Sequence, residues 1–148
     1  MDVLGRGLAP RGLAVVNGPL RHVTITGIDL AASLAFYDAI LAELGLQRFA
    51  EYGDEEEPDD SDVEAVGYGM PGEDAVLWVV AGSDQTQGLH IALSAGSPAR
   101  VDAFFRSGLT HGGSARQAPR RWEIFRTGYY GAQLTDPAGN VIEAISRE

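Results

Sequence analysis

The stretch Arg21-His22-Val23-Thr24-Ile25-Thr26 is matched in kind by Leu89-His90-Ile91-Ala92-Leu93-Ser94. Laid side by side without a gap, His22 falls on His90, Val23 on Ile91, Ile25 on Leu93 and Thr26 on Ser94. The match continues with Ala35 on Ala103, Phe36 on Phe104, Leu41 on Leu109 and Gly45 on Gly113. Self-similarity at one fixed offset marks a chain built from copies of one unit. Here it also sets a histidine at the same point of each copy.

Working outward from the first copy, residues 20–26 alternate apolar and polar with β-branched enrichment, as a half-buried strand does. Asp29 stands where an N-cap belongs, ahead of a helix predicted over 30–44. Leu30, Leu34, Tyr37, Leu41 and Leu44 recur there at helical spacing, and Gly45 follows as a natural stop. Strands are predicted at 47–52, 63–68 and 75–81. In the second copy a strand at 89–95 leads to Ser97-Pro98, an N-cap with proline at the first helical position. The helix is predicted over 98–111, burying Val101, Phe104, Phe105 and Leu109. A strand near Ala115, a loop rich in arginine, and strands at 129–135 and 140–146 complete the set. Each half reads as strand, helix, then three strands, so the fold class is α+β.

Composition bounds the rest. The 148 residues suit one domain. We divide them into an extension at 1–19 and a domain at 20–146, with modules at about 20–82 and 88–146. With no cysteine, disulfides, thiolate nucleophiles and cysteine-bound metals are excluded. A net charge of −10 argues against nucleic acid or an anionic membrane as partner. Nine of the 21 acids lie between Glu51 and Glu64, so that charge is partly local. The acidic run reads as a solvated loop, because the offsets and central glycine of a calcium loop are absent. No apolar run approaches the roughly 20 residues needed to span a bilayer, and 13–16 is too short for a secretion signal. A cytoplasmic location is the expectation.

Side chains alternate across a strand, so His22 shares a face with Thr24 and Thr26, and His90 with Ala92 and Ser94. The opposite face, with Val23, Ile25, Ile91 and Leu93, is the one a helix would cover. Glu143 interrupts the apolar run Val141-Ile142-Glu143-Ala144-Ile145, where a carboxylate is costly without a partner. If Asp136-Pro137-Ala138-Gly139 closes a regular hairpin, Thr135 pairs with Val141 and Gln133 lies opposite Glu143. Two imidazoles and one carboxylate suit a divalent metal with open positions: iron, manganese, zinc or nickel. The plainer reading is structural, with lone strand histidines and a glutamate paired to an arginine such as Arg21.

These features resemble the glyoxalase/bleomycin-resistance/extradiol-dioxygenase superfamily, the vicinal oxygen chelate proteins. The paired modules, the two strand histidines and the ending Asp136-Pro137-Ala138-Gly139-Asn140-Val141-Ile142-Glu143 carry the resemblance, which covers roughly 20–145. It implies two βαβββ modules whose sheets curl around a shared cavity, usually in a homodimer. It implies that His22, His90 and Glu143 are metal ligands. Bacterial glyoxalase I takes a fourth, carboxylate ligand from the last strand of the first module. Aligning Pro71 with Pro137 sets Leu77 at that place, and 75–80 offers no polar ligand. Relatives with three ligands carry a tyrosine where this chain has Gln133, although Tyr129 shares that face. Glu143, Gln133 and Tyr129 are therefore the expected catalytic groups. Arg121, Trp122 and Tyr130 are the expected substrate contacts, with Arg120 and Arg126 nearby. His111, close to a helix C-terminus, is expected only to favour the dipole there.

Two functions follow as expectations. One is a metal-dependent lyase, isomerase or dioxygenase acting on a small substrate with adjacent oxygens. The other is a metal-free protein that sequesters a small molecule, in the manner of bleomycin-resistance proteins. The acidic segment would suit a cationic ligand, and Trp78 and Trp122 a planar one.

Overall fold

A computed structural model of the chain describes residues 19–53, 63–123 and 128–147, the side chains of 50–53 and 63 excepted. The elements run β1 Val23–Gly27, α1 Leu30–Glu43, β2 Gln47–Gly53, β3 Val63–Gly69 and β4 Leu77–Ala81. The second half repeats the order with β5 His90–Ser94, α2 Pro98–Thr110, β6 Ser114–Trp122, β7 Tyr129–Thr135 and β8 Val141–Arg147. The N-terminal extension and the acidic loop fall largely outside the described residues.

Both helices start where their caps dictate. Asp29 accepts the amide of Ala32, and Ser97 accepts that of Arg100 with proline opening α2. The strands form two four-stranded sheets of identical plan, β1-β4-β3-β2 and β5-β8-β7-β6. In each, the first strand runs parallel to the last and lies at an edge, and the other neighbours are antiparallel. Among the described residues no strand pairs with the outer edge of β1 or β5, and Thr86 bonds the backbone of Thr26 on that of β1.

One core joins the halves. Ile25, Val66, Leu77 and Val79 of the first sheet and Leu134, Ile142 and Ala144 of the second pack on Phe36, Tyr37, Ile40, Val101 and Phe104 of the helices. These strand residues occupy alternate positions, so the other face of each sheet is left to the site. At Gly108 of α2 an added Cβ would lie 2.2 Å from Leu134 and 3.2 Å from Ile40, so the helices meet at a bare backbone.

Two expectations are corrected. The arginine-rich loop is strand: Arg116, Arg120 and Arg121 all lie in β6, an edge strand mostly exposed on both faces and bent by two register shifts. The place equivalent to Glu143 is Trp78 rather than Leu77. Thr24 pairs with Trp78 as Ala92 pairs with Glu143, whereas Leu77 is a core residue like Ile142. The turns before β4 and β8 differ in length, and a one-residue slip moves a side chain to the other face.

Candidate functional site

The site begins with the turn Asp136–Asn140. Asp136 accepts the amides of Ala138 and Asn140 at 2.9 and 2.8 Å, and Gly139 takes the positive φ of 99° that the turn requires. The turn fixes the hairpin as expected, with Thr135 opposite Val141 and Gln133 opposite Glu143. The parallel neighbour then sets His90 opposite Val141 and Ala92 opposite Glu143. His90, Ala92, Val141, Glu143 and Gln133 thus face away from the helices.

His90 Nε2 lies 2.8 Å from Glu143 Oε1. The Glu143 side chain is only 9% exposed and that of His90 51%, so the carboxylate sits at the bottom and the imidazole above it. A carboxylate has no proton to give, so Nε2 of His90 carries it and donates. This contact satisfies the interrupted run noted in β8. Beside it, Gln133 accepts a hydrogen bond from Arg116 Nε at 3.1 Å. An open trough of about 460 Å³ continues along β5 and β8, with Ala92, Ser94, Ile145 and Arg147 among its walls.

Tyr129, directly across from Trp122, completes this face. Their rings stack at 6.3 Å and 16°, and the Arg120 guanidinium lies 3.7 Å over the indole. The Tyr129 ring leans over Gly131, where a Cβ would come within 3.3 Å of it. Partial burial raises the Tyr129 pKa, the Glu143 charge raises it further, and Arg120 opposes both. The phenol therefore stays protonated beside the carboxylate.

The structure separates the expected substrate contacts. Trp122 is on the site face, but Arg121 and Tyr130 pair with each other on the opposite one. Tyr130 donates to Asp102 of α2 at 2.7 Å and packs on the core, while Arg121 lies 3.5 Å from Glu123. Arg120 takes the place expected of Arg121, and Arg126 lies outside the described residues. His111 sits at the α2 C-cap with Nδ1 2.7 Å from the Ser107 carbonyl, where it closes the helix.

His22 lies just ahead of β1 and is exposed. Among the described residues no three His, Cys, Asp or Glu side chains gather closely enough to hold a metal ion. One chain therefore brings together His90 and Glu143, not the expected three. In the first sheet the equivalent place holds an indole. Trp78 lies across Gly67, where a Cβ would be 2.9 Å from the ring.

Sequence reading missed Arg116, and set Arg120 only near the substrate contacts, because it took β6 beyond Ala115 for a loop. It also missed Tyr37 and Asn140, both bound to Asp136. The only available signal was the asparagine after Gly139, which a turn does not itself require.

Two βαβββ modules, each a four-stranded mixed sheet with one helix-free face, define the glyoxalase-like fold class. The chain belongs to the Glyoxalase/Bleomycin resistance protein/Dioxygenase superfamily, whose family model matches residues 20–144. A glyoxalase/bleomycin resistance protein from Albidiferax ferrireducens is 29% identical over 85% of this chain and 97% of its own, with a TM-score of 0.68. A putative glyoxalase from Bacillus halodurans is 21% identical over 88% and 96%, with a TM-score of 0.62. A mutant fosfomycin resistance protein from Listeria monocytogenes, complexed with Mn(II) and 1S,2S-dihydroxypropylphosphonic acid, is 17% identical over 88% and 92%, with a TM-score of 0.58. No curated protein matches the chain.

Proposed function

We propose that the open face of the second sheet is a small-molecule site in which His90 and Glu143 hold a divalent cation. His22 of a second copy of the chain then supplies the third protein donor. The observation that carries this reading is the His90–Glu143 pair itself, a half-exposed imidazole and a buried carboxylate converging at 2.8 Å from adjacent strands. A nitrogen and an oxygen donor of this kind suit iron, manganese, zinc or nickel. His22 stands at the equivalent point of the other module, and β1 and β5 both have outer edges with no strand partner among the described residues, Thr86 bonding only Thr26 near the end of that of β1. Exposed strand edges are sites for pairing with another chain.

A cation held there would act as a Lewis acid on a substrate with adjacent oxygens, the chemistry of a lyase, isomerase or dioxygenase. The chain's own groups would do the rest. Tyr129, kept protonated beside Glu143, offers a proton or a hydrogen bond to a developing oxyanion. Gln133, steadied by Arg116, orients a polar substrate group. Arg120 and Trp122 bracket the far end, the guanidinium suited to a carboxylate or phosphonate and the ring to a planar group.

Elemental analysis and titration with Mn(II) of the native protein, His22→Ala, His90→Ala and an equimolar mixture of the two variants test this reading. Each variant alone should bind little metal. The mixture, allowed to exchange subunits, should regain about a quarter of the sites, because half the dimers carry one intact site. Equal binding by the native protein and both variants sinks the metal assignment, and variants that fail singly and stay silent mixed sink the shared site.

A metal-free sequestering protein is the second reading, favoured by the Trp122–Tyr129 stack and by the indole at Trp78. Tight quenching of tryptophan fluorescence by a planar ligand, unaltered by a chelator, would select it.

A further inference from the structure

We infer that the buried cluster of Asp136 and Asn140 positions His90 against Glu143, and that the linker between the modules is part of the same device. The inference rests on that pair being the working centre, whatever it binds. Asn140 is fully buried and Asp136 nearly so, and neither faces the site. Their bonds show what they hold. Asn140 Oδ1 accepts the amide of Leu89, the residue before His90, at 3.0 Å. The backbone of Val141 donates to the Leu89 carbonyl at 2.7 Å, so Leu89 is gripped on both sides. Asn140 Nδ2 is spent on Asp136 Oδ2 at 3.1 Å and on the carbonyl of Thr86 at 2.9 Å.

Each of these bonds bears on register. Without them β5 would be tied to β8 by an edge ladder of five residue pairs alone. A slip of one residue would turn His90 to the helix side. The amide of Leu89 is the last point before the histidine at which a side chain fixes the strand, and a buried side-chain amide can satisfy several such groups at once.

The device reaches into the first module by two routes. Tyr37 of α1 donates its phenol to Asp136 at 2.5 Å, which orients the carboxylate that Asn140 leans on. Thr86, besides giving its carbonyl to Asn140, donates its amide to the carbonyl of Thr26 at 2.8 Å and accepts the Thr26 amide on Oγ1 at 3.0 Å. Thr26 is the last residue but one of the strand that begins after His22. One short linker thus joins β1 to the turn that locks β5. Asp136 and Asn140 touch no reacting group, so they are positioning residues.

The test uses imidazole and amide NMR on the metal-free protein at fixed neutral pH, so that it stands whether or not a metal binds. In the native chain the Leu89 amide should be protected from exchange like the ladder amides of β5. His90 should show a persistent Nε2–H bonded to a carboxylate. Asn140→Ala should speed Leu89 exchange by about tenfold or more and abolish the His90 signal, while His111 keeps its own. Asn140→Asp retains the acceptor for Leu89 but loses both donors, so it should lower Tm and weaken the His90 signal, though less than Asn140→Ala does. A Leu89 amide that exchanges freely in the native chain overturns the inference, even if the alanine variant fails to fold. So does a folded Asn140→Ala protein with an unchanged His90 signal, because then Asn140 serves stability alone.

Discussion

Trp78 occupies in the first sheet the register position that Glu143 occupies in the second: Thr24 lies opposite the one and Ala92 opposite the other. Two sheets of one plan thus carry opposite chemistry at one point, an indole laid over Gly67 and a carboxylate holding a histidine.

Trp78→Glu should therefore build a second carboxylate on the first sheet. Under the metal reading it adds a donor beside His22, and Mn(II) affinity should rise by about tenfold or more, as a further ligand of this kind would give. Calorimetric titration of the native and variant chains measures it. Unchanged or weaker binding in a folded variant would show that the first sheet does not face the cation.

Glu143→Gln should lower the Tyr129 pKa, and Arg120→Ala should raise it. Burial comes first among the causes of its elevation and neither substitution removes that, but the Glu143 charge adds to it and Arg120 subtracts. Tyrosinate absorbance followed in difference against a Tyr129→Phe background reads both shifts. Shifts of the same sign in the two variants would contradict the geometry.

Alkaline unfolding should begin near the ordinary tyrosine pKa of about 10. Burial raises the pKa of both Tyr37 and Tyr68, and their carboxylate partners Asp136 and Asp38 raise it further. Above that pH the folded chain keeps protons that the unfolded chain has lost, so stability falls as pH rises. The slope should approach about 1.4 kcal/mol per pH unit for each tyrosine. Urea midpoints at increasing pH measure it, and absorbance should show two of the five tyrosines ionising only with unfolding. Full, reversible ionisation of all five in a chain with native circular dichroism would refute this.

Gly108→Ala should destabilise the chain by about 1–3 kcal/mol although alanine is the better helix former. Its Cβ would press on Leu134 and Ile40, both fully buried. Urea denaturation settles the sign, and a gain in stability would mean the two helices can separate at no cost.

Tyr37→Phe should cost roughly 1.5–3 kcal/mol, the value of a buried bond to a charged group. Asp136 keeps Asn140 and two amides, so the variant should still fold. A change under half a kilocalorie would mean water replaces the phenol.

Much of this was legible in the sequence, for reasons particular residues make plain. Asp29, Ser97 and the turn at 136–140 dictate local geometry by their own side chains, so the helix starts and the Gln133–Glu143 pairing could be read directly. The run of strand β6 beyond Ala115 was hidden because neither of its faces is buried and Pro119 and two bulges break any alternation. Trp78 was displaced to Leu77 because prolines were matched across turns of unequal length. The parting of Arg121 from Trp122 follows from strand alternation once β6 is known to be a strand. The separation of His22 from His90 has a different origin. The repeat says that two positions are equivalent, and equivalence places them on like strands without bringing them near each other.

The phenol that Tyr37 sends ninety-nine residues along the chain to Asp136 has no twin, because the repeat sets Phe105 where Tyr37 stands in the first half. The two modules thus divide the labour, and a chimera carrying two second modules would leave a turn aspartate with no phenol to meet it.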